Sequence, residues 1–385
     1  MKNHVSDSIK YIGVDDKEID LFENQYVVPN GVSYNSFLII DDKIAIMDTA
    51  DARVTDEWLA NLKEELGDRK PDYLIVHHLE PDHSGVLATV FDMYPQLNIV
   101  CTEKAKTMLP NFFDVDMNRV ITKKEGETLE LGNHTLTFIP APMVHWPEVM
   151  VSYESSEKVL FSADAFGKFG TLDTDEDWTC EARRYYFNIV GKYGPAVQTL
   201  LKKASALDIK TICPLHGPIL TDTIPGVLNL YNTWSSYQPE EQGVFIAYGS
   251  IHGNTAKAAE MMKELLEKKG CPKVAIADLS RADIAECVED AFRYSTLLCM
   301  ASSFDAGVFP PMGDFIHHLQ SKAFQNRRVA FVENGSFAPS ALRTMRAEFE
   351  KMKNINFAEH FVSIMTRAKE SDMPAFEALA EELKQ

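Results

Sequence analysis

Two rhythms of apolar and polar positions divide this chain. In residues 21–48, short apolar runs (25–28, 36–40 and 43–48) alternate with turns, and Asp41-Asp42 between the last two reads as a hairpin turn. Residues 55–66 carry Trp58, Leu59, Leu62 and Leu66 at helical spacing, and Gly67 ends that helix. The apolar run 72–76, bounded by Pro71, predicts a buried strand, with a helix after it through Tyr94. Strand-like segments recur at 98–100, 128–131, 135–140, 150–154 and 158–162. A helical stretch over 181–206 leads to another strand, 209–214. This strand-rich part with helices interspersed predicts an α/β sandwich rather than a parallel doubly wound sheet. Residues 231–242, polar and aromatic without a clear period, read as an interdomain connection.

After Gly243 the rhythm changes. Apolar strands at 244–248, 273–277, 297–301, 328–333 and 355–361 alternate with helical segments at 255–269, 283–292, 314–323, 340–352 and 375–383, with no hairpin signals. Such alternation predicts a doubly wound five-stranded parallel sheet with its functional loops at the carboxyl ends of the strands. The expected domains are therefore 1–240 and 243–385.

Composition narrows the function classes. The formal charge of −19 argues against non-specific binding to nucleic acid or anionic membrane. No apolar run approaches the ~20 residues of a membrane span, and the amino-terminal residues lack the apolar core of a signal peptide, so the expected location is cytoplasmic. The six cysteines include no Cys-x-x-Cys, which argues against an iron–sulfur, rubredoxin-type or zinc-ribbon module in this sequence.

The densest chemistry is His77-His78-Leu79-Glu80-Pro81-Asp82-His83, five potential metal ligands in seven residues. If the chain stays extended past its strand, His78 and Glu80 point the same way and His77 points away, as a packed residue. Pro81 then forces a turn that lets Asp82 and His83 swing back. His145, Asp164 and His216 each follow the end of a strand and can gather at the same rim, although for an Asp such as Asp164 taken alone, capping a helix is the commoner role. The set holds four imidazoles and three carboxylates and no thiolate. With two divalent ions, a small positive surplus remains for an oxide or hydroxide bridge to offset. Hard carboxylates beside imidazoles suit non-haem iron that changes oxidation state.

In the second part, the strand 244–248 runs into Gly249-Ser250-Ile251-His252-Gly253-Asn254-Thr255 and then a helix. A hydroxyl- and glycine-rich loop that opens a helix offers backbone N–H groups and a positive dipole end to a phosphate. Two further strand-end loops, Ser302-Ser303-Phe304-Asp305-Ala306-Gly307 and Asn334-Gly335-Ser336-Phe337, can embrace the same cofactor. No Walker lysine or G-x-G-x-x-G accompanies them, which disfavours ATP and dinucleotides.

The pattern His78-x-Glu80-x-Asp82-His83, followed at long intervals by His145, Asp164 and His216, resembles the metallo-β-lactamase superfamily. With Glu80 where most hydrolases of that superfamily have His, and with Met143-Val144-His145-Trp146-Pro147 and 162–170, it is similar to flavodiiron proteins. The resemblance implies a metallo-β-lactamase-like αββα sandwich followed by a flavodoxin-like domain that binds FMN, with Phe304 or Phe337 against the flavin ring. It further implies His78, Glu80 and His145 on one iron, Asp82, His83 and His216 on the other, Asp164 as bridge, and Tyr193 as a hydrogen-bonding neighbour of a bound diatomic. His252 departs from the threonine usual in the flavodoxin loop. The expected activity is reduction of O2 to water, of NO to N2O, or both. The expected partners are a separate rubredoxin or flavoprotein reductase as electron donor, and a second copy of the chain in a head-to-tail homodimer or dimer of dimers. The competing reading is a metal-dependent hydrolase with an appended flavodoxin domain, against which Glu80 is the main sequence feature.

Overall fold

The computed structural model describes residues 4–384. They form two compact units: residues up to Tyr186 together with Pro195–Tyr231, and Phe187–Gly194 together with residues from Asn232 onward. The division differs from the sequence expectation because a helix, Ile224–Ser235, runs into the stretch taken as a connection. Buried Val227, Tyr231 and Trp234 recur in it at helical spacing. The single helix expected over 181–206 is also interrupted. It runs as Trp178–Tyr185, a π-helical turn Tyr186–Val190, a 3-10 turn Gly191–Tyr193 and a new helix Gly194–Ala204. Pro195 sits where a new helix starts and donates no backbone N–H.

The first unit is a sandwich. One sheet has the order Ile9–Tyr11, Phe37–Ile39, Ala45–Met47, Tyr73–Ile75, Asn98–Cys101, Val120–Thr122, antiparallel over its first three strands and parallel thereafter. The other runs Thr128–Glu130, Thr135–Pro140, Met150–Glu154, Val159–Phe161, Thr211–Cys213. Phe37, Met47, Ile75 and Val100 from the first sheet share a buried core with Phe138, Met150, Phe161 and Cys213 from the second. Outside this core, the helix Thr55–Leu66 buries Trp58, Leu62 and Leu66.

A polar clamp joins turns of the two sheets. The His134 N–H donates to Asp41 Oδ2 at 2.7 Å, and the ring nitrogens face Asp41 Oδ2 at 2.7 Å and Glu157 Oε1 at 3.1 Å. Burial pushes the Asp41 carboxyl up, but its bonds from the His134 ring and from the His134 and Asp42 amides prevail and hold it at about 2. Because the folded value is depressed, the contribution to stability is full above the ordinary carboxylate pKa and fades as pH falls toward 2. Asp41→Asn is accordingly expected to lower the denaturation midpoint at neutral pH, with the gap to the parent chain closing as the medium is acidified. Denaturant curves across a pH series check this.

The second unit is built on a parallel sheet of order Val274–Asp278, Glu241–Gly249, Tyr294–Phe304, Arg327–Asn334, with Ile355–Phe357 and Val362–Ile364 both pairing with the last of these. The first strand in sequence is thus internal, and the order reverses beside it, the position at which such sheets open a crevice at their carboxyl ends. One hairpin departs from the all-parallel expectation: Ser303 and Phe304 pair antiparallel with Gly307–Val308. Its turn is Asp305-Ala306, both at positive φ (46° and 59°), so it lacks the Asn-Gly or Asp-Gly signature that announces such turns. Among the described residues, no helix is long and apolar enough to cross a membrane.

Candidate metal centre and cofactor loops

The cluster begins where the strand Tyr73–Ile75 ends. Asp48, itself at φ 55°, accepts the His77 N–H at 2.7 Å and the His78 N–H at 3.4 Å on one oxygen. Its other oxygen lies 2.5 Å from His77 Nδ1, and His77 Nε2 lies 2.7 Å from Ser152 Oγ. His77 is thereby turned away into packing, and His78 is turned the other way. Pro81 opens the short helix Pro81–Ser84, which carries Asp82 and His83. The His83 carbonyl accepts from the Thr49 amide and hydroxyl at 2.9 and 2.8 Å. His145, Asp164 and His216 come from turns after the strands Thr135–Pro140, Val159–Phe161 and Thr211–Cys213.

These seven side chains assemble into two groups. His78, Glu80, His145 and Asp164 place one ligand atom each within 4.8 Å of one another, and Asp82, His83 and His216 do the same. Asp164 is shared between them: its Oδ2 lies 3.3 Å from His78 Nε2 and 3.4 Å from His145 Nε2, and its Oδ1 lies 3.3 Å from His83 Nε2 and 3.8 Å from His216 Nε2. Glu80 Oε2 lies 3.1 Å from His78 Nε2 and 3.0 Å from His145 Nε2, and Asp82 Oδ2 lies 3.2 Å from both His83 Nε2 and His216 Nε2.

The donor set fits a pair of cations. Both Asp164 oxygens, Asp82 Oδ1, His83 Nε2 and His216 Nε2 are buried without a hydrogen-bond partner, which native interiors rarely tolerate. Burial opposes charging of His78, yet Asp164, Glu148 and Glu80 raise its pKa well above the usual imidazole range. The same competition puts His145 at about 9, through Asp164 and Glu80. Burial likewise pushes the carboxyls up, but the histidines prevail, holding Glu80 at about 2 and Asp164 well below the carboxylate range. In the absence of ions, protons on the rings thus carry the positive charge that the carboxylates demand, and metal ions would replace them.

In the second unit, the loop after Glu241–Gly249 leads into the helix Asn254–Lys268 through Gly253 at φ 85°. Ser250 Oγ accepts from the Gly253 N–H at 3.1 Å. A pocket of about 110 Å³ opens here among Ser250, Ile251, His252, Asn254 and Thr255, Ser302 and Ser303, and Asn334, Gly335 and Ser336. Thr255 Oγ1 lies 2.9 Å from Ser302 Oγ, and Asn334 Nδ2 donates to it at 3.2 Å, tying the three loops together. Thr366, not anticipated from the sequence, also lines the pocket, and its carbonyl accepts from Asn334 Nδ2 at 3.0 Å. Phe304 (41% exposed) and Asp305, Ala306 and Gly307 form the hairpin outside this pocket, and Phe337 is 83% exposed.

Residues 32–217 match the family model described as ODP family beta lactamase. The chain is 29% identical over 326 residues to a nitric oxide reductase of Moorella thermoacetica, covering 82% of this chain and 81% of that protein. Rubredoxin oxygen:oxidoreductase from Desulfovibrio gigas shares the fold at a TM-score of 0.93 and 24% identity, over 100% of this chain and 98% of that one. A flavo di-iron protein from Thermotoga maritima matches at a TM-score of 0.90 and 25% identity, with the same coverage of each chain. Over its whole length the chain is similar to flavodiiron proteins.

The structure adds residues that the sequence did not single out. Glu148 is buried, and its Oε1 lies 2.7 Å from His78 Nδ1 and accepts the Leu79 N–H at 3.0 Å. A carboxylate only accepts, so Nδ1 carries a proton, and Nε2, which faces Glu80 and Asp164, is the nitrogen that would give up its proton to a metal ion. The Ser33 carbonyl does the same for His216, at 2.8 Å from its Nδ1. Glu148→Gln is expected to weaken iron binding about 10–100-fold, which competition with a chelator measures. A signal existed in the sequence, an acid three residues after His145 at the mouth of a strand. Tyr185 also adjoins the cluster, its ring 5.5 Å from that of His216. Burial first, then Asp164 and Asp82, raise its pKa, so it stays a neutral phenol. Tyr193, singled out from the sequence, is half-buried in the segment belonging to the second unit.

Proposed function

We propose that this chain is an oxidoreductase that passes electrons from FMN to a non-haem di-iron centre and reduces O2 to water, NO to N2O, or both. The observation that carries this reading is the Asp164 carboxylate, with one oxygen turned to the His78 and His145 group and the other to the His83 and His216 group. The iron pair would supply electrons side by side to both atoms of O2 or to two NO molecules. His78, Glu80 and His145 would hold one iron and Asp82, His83 and His216 the other. Glu148 and the Ser33 carbonyl accept from Nδ1 of His78 and His216, which leaves Nε2 of each as the atom that would hold a metal ion. The burial of His78, His83, Asp164 and His216 limits water at the reacting pair. Ser250–Thr255, with Ser302 and Ser303, would take the FMN phosphate, and Asn334–Phe337 and Phe304 would border the flavin. Tyr193 is assigned a hydrogen bond to the substrate; a Tyr193→Phe variant with unchanged turnover for both gases would remove that role.

The reductase is favoured over a hydrolase by the flavin-type loops on the same chain and by its relatives, named as nitric oxide reductase and oxygen:oxidoreductase. The test is anaerobic reduction of the FMN- and iron-loaded chain, followed by separate electrode assays with O2 and with NO. Consumption of either gas at the expense of the reduced flavin is expected. Zinc without iron, accompanied by esterase or nuclease activity, would overturn the reading.

We also place the chain in a head-to-tail homodimer or dimer of dimers in the cytoplasm. Ile251, Phe304, Phe337 and Met365 leave apolar surface exposed at the flavin loops, which a second copy would cover. An active monomer in sedimentation at assay concentration would exclude this. A separate rubredoxin or flavoprotein reductase is assigned as donor.

A further inference from the structure

The pocket among the three strand-end loops of the second unit is rich in hydroxyls and poor in charge. Six hydroxyl side chains and two amides line it, and among the described residues its lining holds no lysine, arginine, aspartate or glutamate. The ionisable side chain in that lining is His252. It is exposed, and among the described residues it forms no ion pair and no side-chain hydrogen bond.

His252 stands one residue before Gly253, whose left-handed backbone (φ 85°) opens the helix Asn254–Lys268. That helix has no acid in its first turn and no side chain capping it. A helix start carries roughly half a positive charge, and the effect fades within one turn. The surrounding elements add little to it. At the end of the neighbouring strand Val274–Asp278, the Asp278 carboxylate accepts the Ser280 N–H at 3.0 Å. Glu333, near the end of Arg327–Asn334, accepts from the Leu342 N–H at 2.9 Å and the Ser363 hydroxyl at 3.0 Å. Lys257, Glu260, Arg281, Asp305 and Arg367 are exposed and lie outside the pocket lining.

We propose that His252 is the cation by which this pocket selects a phosphorylated flavin, so that flavin binding is linked to the uptake of a proton. The inference rests on the FMN reading given above. A phosphate monoester carries about −1.5 to −2 charges at neutral pH, and here it joins a chain whose formal charge is −19. Imidazole side chains change charge within about pH 5–8, and the cationic ring donates from both nitrogens. A bound phosphate favours that cation over the neutral ring. Affinity for FMN therefore falls as pH rises through the imidazole range. The phosphate's own second ionisation, at about pH 6, acts in the opposite direction and is shared by every variant. A hydroxyl or an amide at this position would keep a hydrogen bond without the proton linkage.

The test is fluorescence titration of the iron-loaded chain, stripped of flavin, with FMN and with riboflavin at about pH 6.5 and about pH 8. FMN affinity is expected to fall about three- to tenfold between the two, the effect of one charge-assisted contact at an exposed site. Riboflavin affinity should stay level. His252→Gln should weaken FMN binding at the lower pH and remove the fall. His252→Lys, charged throughout, should also remove the fall but keep the tight value at the higher pH. FMN affinity that stays level in the parent chain, or falls equally in His252→Gln or for riboflavin, overturns the inference and leaves the flavin reading standing. A parent chain that binds neither flavin at either pH removes the flavin reading, and this inference with it.

Discussion

Asp164→Ala is expected to abolish reduction of both O2 and NO, with a loss greater than the ~100-fold that an outer-sphere change produces. The reason is geometric: among the described residues, Asp164 is the carboxylate that addresses both groups of ligands. Without it, His78 and His145 retain Glu80, and His83 and His216 retain Asp82, so each half keeps one acid but nothing spans them. Metal analysis should show iron below that of the parent chain, and circular dichroism should show the fold retained. Turnover that survives with either gas would refute the bridging role. Asp164→Glu is the informative companion, since it keeps the charge while displacing both oxygens.

The second large effect is on stability. Asp48→Ala should destabilise the first unit by about 3–5 kcal/mol, because it strips a fully buried His77 ring and its backbone N–H of their acceptor. The same carboxylate accepts the His78 N–H, so the metal loop should loosen as well. Denaturant unfolding of the metal-free chain separates the two consequences: the midpoint reports the lost pairing, and iron titration of the folded variant reports the loosened loop. A midpoint within 1 kcal/mol of the parent, roughly the worth of one ordinary hydrogen bond, would show that Asp48 is not the anchor.

Much of the candidate site could be read locally. Period-two alternation after a strand separates His77 from His78 and Glu80, and a proline at the following position turns the chain so that Asp82 and His83 return. The loop at 249–255 could be read as the opening of a helix, and the helix Asn254–Lys268 does follow it; the glycine and hydroxyl residues are what suggested a phosphate there. Other features had no local signature. Asp305-Ala306 forms a hairpin with neither Asn nor Gly in its turn. The helix Ile224–Ser235 hides among the polar and aromatic residues of a supposed connection.

What the sequence by itself determined is therefore the inventory and the rhythm: a strand-rich part, an alternating α/β part, and ligand types gathered just past strand ends. Those follow from side-chain periodicity and backbone chemistry, which act between near neighbours in the chain. What only the tertiary structure decided is which polar groups meet across long separations and lose water together. Glu148 reaches His78 from 70 residues away, and the Ser33 carbonyl reaches His216 from 183. Burial gives these contacts their energy, and burial is a property of the packed sheets rather than of any one segment.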